Sequence, residues 1–286
     1  MSAFRPLLWL SALAITCGNA QAAGGASNDP LRICAADEAP YSQRDGRGLE
    51  NRLAEAVGAA MQRPVEFVWS DKPAIYLVRD YLDKQRCDVV MGVDTGDPRV
   101  LTTAPYYRSS YVFISRADSD FGAISAWDDP RLGKARNIAV GVGSPAEAII
   151  KAMGLYEENM NYIYSLVDFK SPRNQYVRLE PSRLVSEVVR GNADLAIAFS
   201  GDVARYVKES SVPLRMEAVP PDTVAGKEGE FIGFEYGQSM AVRKDDEPLL
   251  AALNAALDKA HPQVQSILRS EGVLLLSGKG EQSARN

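Results

Sequence analysis

The sequence predicts an α/β protein of two lobes, each built on a doubly wound, mostly parallel sheet, with a two-strand hinge between them. Three observations carry that reading. Strand-like runs alternate with amphipathic helical stretches along the whole chain, the order of βαβ units rather than of a sandwich. The first half is echoed in the second: Asn137-Ile138-Ala139-Val140-Gly141 repeats the opening strand, and Asn192-Ala193-Asp194-Leu195-Ala196-Ile197 repeats Arg86-Cys87-Asp88-Val89-Val90-Met91. Ile33 to Ile138 is 105 residues and Asp88 to Asp194 is 106, so two elements recur at nearly one offset. Finally, a strand at 111–114 leaves the first lobe and a strand at 238–242 returns to it, so the chain crosses twice.

The elements follow in order. Residues 31–36 read as a strand, and 49–61 as a helix with Leu49, Leu53, Val57 and Ala60 on one face. Residues 65–69 form a second strand and 75–84 a second helix. Val89-Val90-Met91-Gly92-Val93 lacks polar alternation, as a strand buried on both faces does. In the second lobe, Gly141-Val142-Gly143-Ser144-Pro145 opens a helix over 146–153, with Ser144 as its N-cap and Pro145 its first residue. The backbone N–H groups there suit either a carboxylate or phosphate ligand, or simple capping. A helix at 182–190 precedes the repeated strand, and helices at 248–260 and 262–269 pack back on the first lobe. The expected division is a first lobe of 29–114 plus 237–276, a second lobe of 115–236 and a flexible tail over 277–286.

Residues 1–22 differ in character. A short basic start, an apolar run from Leu7 to Ile15 and the small-residue site Ala20-Gln21-Ala22 read as an export signal cleaved near Ala22. The run is too short for the ~20 residues that span a bilayer, and no later segment approaches that length, so no membrane span is expected. Lys+Arg 32 against Asp+Glu 37, with no dense basic run, argues against nucleic acid as a partner. Beyond the signal only Cys34 and Cys87 remain of three cysteines, and an exported even pair reads as a disulfide, with a free buried pair as the alternative.

Catalytic chemistry has no obvious carriers. The one histidine, His261, precedes Pro262 at a helix junction, so no His-based triad can be assembled. HExxH, GxSxG, GxxxxGK[ST] and GxGxxG are absent, Asp94-Thr95-Gly96 is a weak look-alike of a protease triplet, and no metal site is expected. Ligand candidates are better placed. Tyr41 and Arg99 follow the first and third strands, and open α/β sheets bind ligands at those carboxyl ends; Ser144 and Asp202 are their counterparts in the second lobe.

Arg32-Ile33-Cys34-Ala35-Ala36 leading to Pro40-Tyr41, Thr103-Ala104-Pro105-Tyr106-Tyr107, Val140-Gly141-Val142-Gly143-Ser144 and Met240-Ala241-Val242-Arg243-Lys244 resemble the periplasmic substrate-binding proteins of the polar-amino-acid type. That resemblance implies a type II periplasmic-binding-protein fold over nearly the whole exported chain. Cys87 to Val93 followed by Thr102 to Phe113, and the run from Asn161 to Tyr176, look like the MoxJ (MxaJ) branch. The resemblance implies a non-catalytic periplasmic accessory of bacterial methanol oxidation. It would act with the PQQ-dependent methanol dehydrogenase, in assembly or activation, the PQQ belonging to that partner and no cofactor to this chain. A solute receptor of an ABC importer for a small polar ligand is the alternative.

Two departures bear on the alternative. In transport members a Thr-x-x-Arg step grips the ligand carboxylate; here Arg99 stands six residues before Pro105, and Gly96-Asp97-Pro98 replaces the usual context. Their second-lobe Asp follows its strand directly, whereas Phe199-Ser200-Gly201 precedes Asp202. A zwitterion pocket is therefore not predicted. The stretch 155–182 is longer than a crossover needs and reads as a loop rich in tyrosine and arginine, so Tyr164, Phe169, Arg173 and Tyr176 are candidates for the partner surface.

Overall fold

The computed structural model describes residues 29–167, 179–221 and 232–277. The expected export signal, the expected partner-surface residues Phe169, Arg173 and Tyr176, and all of the expected tail after residue 277 lie outside the described residues. In the first lobe β1 (Leu31–Ala36) leads through a loop to α1 (Leu49–Met61), then β2 (Val65–Ser70), β3 (Val89–Asp94) and the short β4 (Leu101–Thr102). The long β5 (Tyr107–Arg116) carries the chain out. Then come β6 (Ile138–Val140), α2 (Pro145–Ala152), α3 (Tyr156–Ser165), α4 (Pro181–Val189), β7 (Leu195–Phe199), α5 (Ser200–Lys208) and β8 (Leu214–Ala218). The strand β9 (Glu235–Val242) returns, and α6 (Glu247–Glu271) closes the fold.

One continuous sheet runs through both lobes in the order β2-β1-β3-β9-β5-β7-β6, with β4 added on β9 and β8 on β5. The hinge is the antiparallel pair β5 and β9, matched from Tyr107 with Gln238 to Ser110 with Glu235. β5 is longer than the expected 111–114 because its first half serves β9 and its second half β7 and β8. The first lobe has the expected parallel β2-β1-β3 core. In the second lobe the expectation of a mostly parallel sheet is corrected: only β6 and β7 are parallel, since β5 enters that lobe antiparallel to β7 and β8.

Period-two alternation sends side chains to two cores in each lobe. In β1, Leu31 and Ile33 join α1 and α6, while Cys34 and Ala36 join Leu77, Tyr81 and Leu82 on the opposite face. In β7, Leu195 and Ile197 meet α2, whereas Ala196 and Ala198 meet α4 and Val203 of α5. Strands buried on both faces need no polar alternation, which is why they read as continuous apolar runs.

Three local expectations change. Residues 75–84 form a single-turn 3-10 helix (Ala74–Tyr76) and a widened turn (Val78–Leu82) rather than a regular helix. The buried spacing of Leu77, Val78, Tyr81 and Leu82 is helical, but the segment bends over the cysteine pair. The expected break at Pro262 is absent and α6 is one helix, because its buried stripe of Leu253, Ala256, Ala260, Val264 and Leu268 continues through the proline and offsets the missing N–H. Part of the expected loop 155–182 is helical: α3 packs on edge strand β6, where the Asn159 Oδ1 accepts the Ile138 N–H at 2.8 Å.

Cys34 on β1 and Cys87, just ahead of the neighbouring β3, are bridged, with Cα atoms 5.4 Å apart. Closing a loop with 53 residues of separation removes enough chain entropy to stabilise the fold by roughly 4 kcal/mol.

Candidate functional site

A cavity of about 580 Å³ lies between the lobes at the carboxyl ends of β1, β3 and β7. The first lobe contributes Glu38, Tyr41, Glu50 and the β3 end from Val90 to Asp94; the second contributes Pro145, Phe199 and Asp202. Tyr111, Tyr236 and Gln238 come from the hinge strands. Its lining carries five carboxylates, Glu38, Glu50, Asp94, Asp97 and Asp202, against one cation, Arg99.

The structure brings Tyr41 and Asp202 together. The Tyr41 hydroxyl donates to Asp202 Oδ1 at 2.6 Å, a direct bond from one lobe to the other. Asp202 reaches the cleft despite following β7 by three residues, because α5 starts at Ser200 with no intervening loop and its first turn doubles back over the strand end. Burial pushes its carboxyl up to about 6, against the opposing effect of the Tyr41 O–H.

Arg99 lines the same cavity, but its Nε and Nη2 both donate to Asp97, the closest pair at 2.6 Å. That fork is already committed to a carboxylate of the chain itself. Ser144 does not line this cavity; it borders a smaller one of about 190 Å³ that shares Tyr111, Phe199 and Asp202. Its Oγ accepts the Glu147 N–H at 3.2 Å, capping the helix, while Glu147 Oε2 accepts the N–H of the preceding Gly143 at 2.6 Å. Burial opposes ionisation of Glu147, yet the Gly143 N–H and Lys151 outweigh it and hold the carboxyl below the usual range. The α2 start thus has its own carboxylate as ligand.

Several lining groups escaped the sequence reading. Glu50 projects from the first turn of α1, accepts the Ser42 hydroxyl at 3.0 Å, and burial pushes its carboxyl up to about 7. A glycine is required beneath it, since a Cβ on Gly92, which has φ +67°, would collide with Glu50 Oε1. Gln238 Nε2 donates to Asp94 Oδ1 at 2.7 Å. Rings from three elements, Tyr111, Phe199 and Tyr236, stand 5.9 to 6.2 Å apart.

A second tie crosses between the lobes beside the cleft. Arg205 of α5 donates from Nε to Glu271 Oε2 at 2.5 Å, from Nη1 to Gln43 at 2.9 Å and from Nη2 to the Arg47 carbonyl at 3.0 Å. Arg52 of α1 takes the other Glu271 oxygen at 2.6 Å. His261 is remote from all this, lining a separate cavity with Ala104, Tyr106 and Asn254. Among the described residues no His, Cys, Asp and Glu grouping has a metal-holding arrangement, and no helix is long and apolar enough to cross a membrane.

Two lobes on a continuous hinge, with a cleft at the strand ends, define a protein of the periplasmic-binding-protein class. The fold is shared with the periplasmic binding protein XoxJ from Methylobacterium extorquens AM1, at a TM-score of 0.61 and 22% identity over 87% of this chain and 100% of that one. No family model matches the sequence. Full-length relatives do: the chain is 52% identical over 278 residues to Protein MoxJ of Methylorubrum extorquens, covering 93% of this chain and 92% of the relative. It is 41% identical over 247 residues to Protein MoxJ of Paracoccus denitrificans, covering 86% and 89%. The crystal structure of MxaJ from Methlophaga aminisulfidivorans MPT superposes at a TM-score of 0.82 with 48% identity, over 86% of this chain and 100% of that one. The chain belongs to the MoxJ family.

Proposed function

We propose that the protein is a non-catalytic periplasmic accessory of bacterial methanol oxidation that assists assembly or activation of the PQQ-dependent methanol dehydrogenase. The observation that carries this reading is the 52% identity to a MoxJ protein along nearly the full chain. The site is in keeping with it: among the described residues, the arginine that lines the cleft is already bound by Asp97. We assign the lobes as 29–114 plus 237–276 and 115–236, behind a signal cleaved near Ala22, and the PQQ to the dehydrogenase. Tyr164, with 55% of its surface exposed on α3, is the described residue offered to that partner.

The test is co-purification of the exported chain with the purified dehydrogenase, together with the level of active dehydrogenase in a methylotroph lacking this gene. A complex and a fall in active enzyme are expected; a normal level of active enzyme and no complex would overturn the proposal. A solute receptor is the reading that the interlobe cavity itself favours. Loss of uptake of one solute in the deletion strain, with methanol oxidation intact, would select it instead.

A further inference from the structure

The cleft carries more negative charge than the protein itself neutralises. Once Asp97 is matched with Arg99, the carboxylates of Glu50, Asp94 and Asp202 remain to be considered. Among the described residues no lysine or arginine comes within ion-pair distance of Glu50, Asp94 or Asp202. Instead each is positioned by a neutral donor: Ser42 for Glu50, Gln238 for Asp94 and Tyr41 for Asp202. Such donors orient a carboxylate and leave its charge available to a ligand.

Two further features point to an occupant. Beside the carboxylates lie the rings of Tyr111, Phe199 and Tyr236, the groups whose π-faces attract organic cations. The cavity has the volume of a small-molecule site. Among the described residues that line it, the only cation, Arg99, is committed to Asp97.

We propose that the interlobe cavity binds a small organic ammonium ion that carries no carboxylate. Glu50, Asp94 and Asp202 balance its charge, and the rings of Tyr111, Phe199 and Tyr236 enclose its alkyl part. The site is independent of the role toward the dehydrogenase, which is read by a separate experiment.

Titration calorimetry of the exported chain with n-butylammonium, 1,4-diaminobutane and tetramethylammonium tests the proposal, with butyrate, butanol and norvaline as comparisons. At least one ammonium probe is expected to bind with a dissociation constant below about 100 μM, and butyrate and butanol not at all up to ~10 mM. Asp94→Asn and Tyr236→Leu should each weaken that probe by about tenfold or more, with unchanged far-UV dichroism showing that they fold. Should either variant fail to fold, Glu50→Gln takes its place, with a weakening of about threefold or more. The proposal is overturned if no ammonium probe binds up to ~10 mM, if binding survives the variants unchanged, or if norvaline binds more tightly than n-butylammonium.

Discussion

Replacing Asp202 with Asn keeps the shape of the side chain and an acceptor for the Tyr41 hydroxyl while removing one charge from the closed cleft. The native carboxyl is pushed up to about 6 from 3.8, because burial disfavours its ionised form. Between those two values the folded protein binds more protons than the unfolded chain. The contribution of this group to stability is therefore full below about pH 4 and is lost as pH rises through about 6. Integrated from about pH 4 to about pH 8, the loss is about 2 kcal/mol. The amide does not titrate, so the variant is expected to gain about 2 kcal/mol on the native protein over that interval, equivalent to roughly 4–8 °C in Tm for a chain of this size. Glu50, pushed up to about 7, titrates across the same window in both proteins and drops out of the difference. Urea unfolding of the two proteins near pH 4 and near pH 8, at one ionic strength, measures it. A stability difference that is the same at both pH values, or that moves against the variant at the higher one, refutes the argument that Asp202 is held in the cleft at a desolvation cost.

The remaining expectations concern the ties and the surface. Arg205→Met removes one of two cations from Glu271, a carboxylate only 8% exposed, and should cost about 2 kcal/mol by urea unfolding, less than a fully orphaned buried charge because Arg52 remains. The same variant should scatter X-rays as a more open molecule, since its side chain also holds Gln43 and the Arg47 carbonyl. Replacing Cys34 and Cys87 together with alanine should lower stability by up to about 4 kcal/mol, and thiol titration of the unfolded native chain should find neither cysteine free. Tyr164→Ala should leave unfolding within about 0.5 kcal/mol of the native value while weakening recovery of the dehydrogenase; a large loss of stability would mean that the ring is structural.

The alternation of strands and helices was legible because every sheet strand near the core is packed on both faces, and such strands advertise themselves as apolar runs. The positions of Tyr41 and Arg99 followed from strand order alone, since strand ends in an open α/β sheet converge on one crevice. Asp202, a cleft candidate by sequence, lies three residues beyond β7 and lines the crevice because its helix begins with no loop, which linear distance does not show. Glu50 gave no signal, as a glutamate in the first turn of an amphipathic helix is ordinary by pattern and unusual only through what α1 is laid against. The ring cluster was equally silent: Tyr111, Phe199 and Tyr236 sit on β5, on β7 and on β9, and only sheet order makes them neighbours. Ser144 shows the reverse case, a motif read correctly as a cap whose opening to a ligand is closed by Glu147 three residues later.

The packing of α1 against α6 has a consequence for a polypeptide that leaves its machinery amino end first. Leu49, Leu53 and Val57 of α1 are buried with Leu253, Ala260 and Leu268, some 200 positions downstream. Until those positions emerge, the apolar stripe of α1 has no cover, and the parallel β2-β1-β3 ladder lacks the β9 strand that borders it. The intervening region can fold around β5, β7 and β6 in the meantime, leaving the earlier-made half waiting for its lid. The vulnerable interval in the life of this molecule is thus the time between emergence of Met61 and emergence of Glu271, when a sticky helix must be kept from other chains.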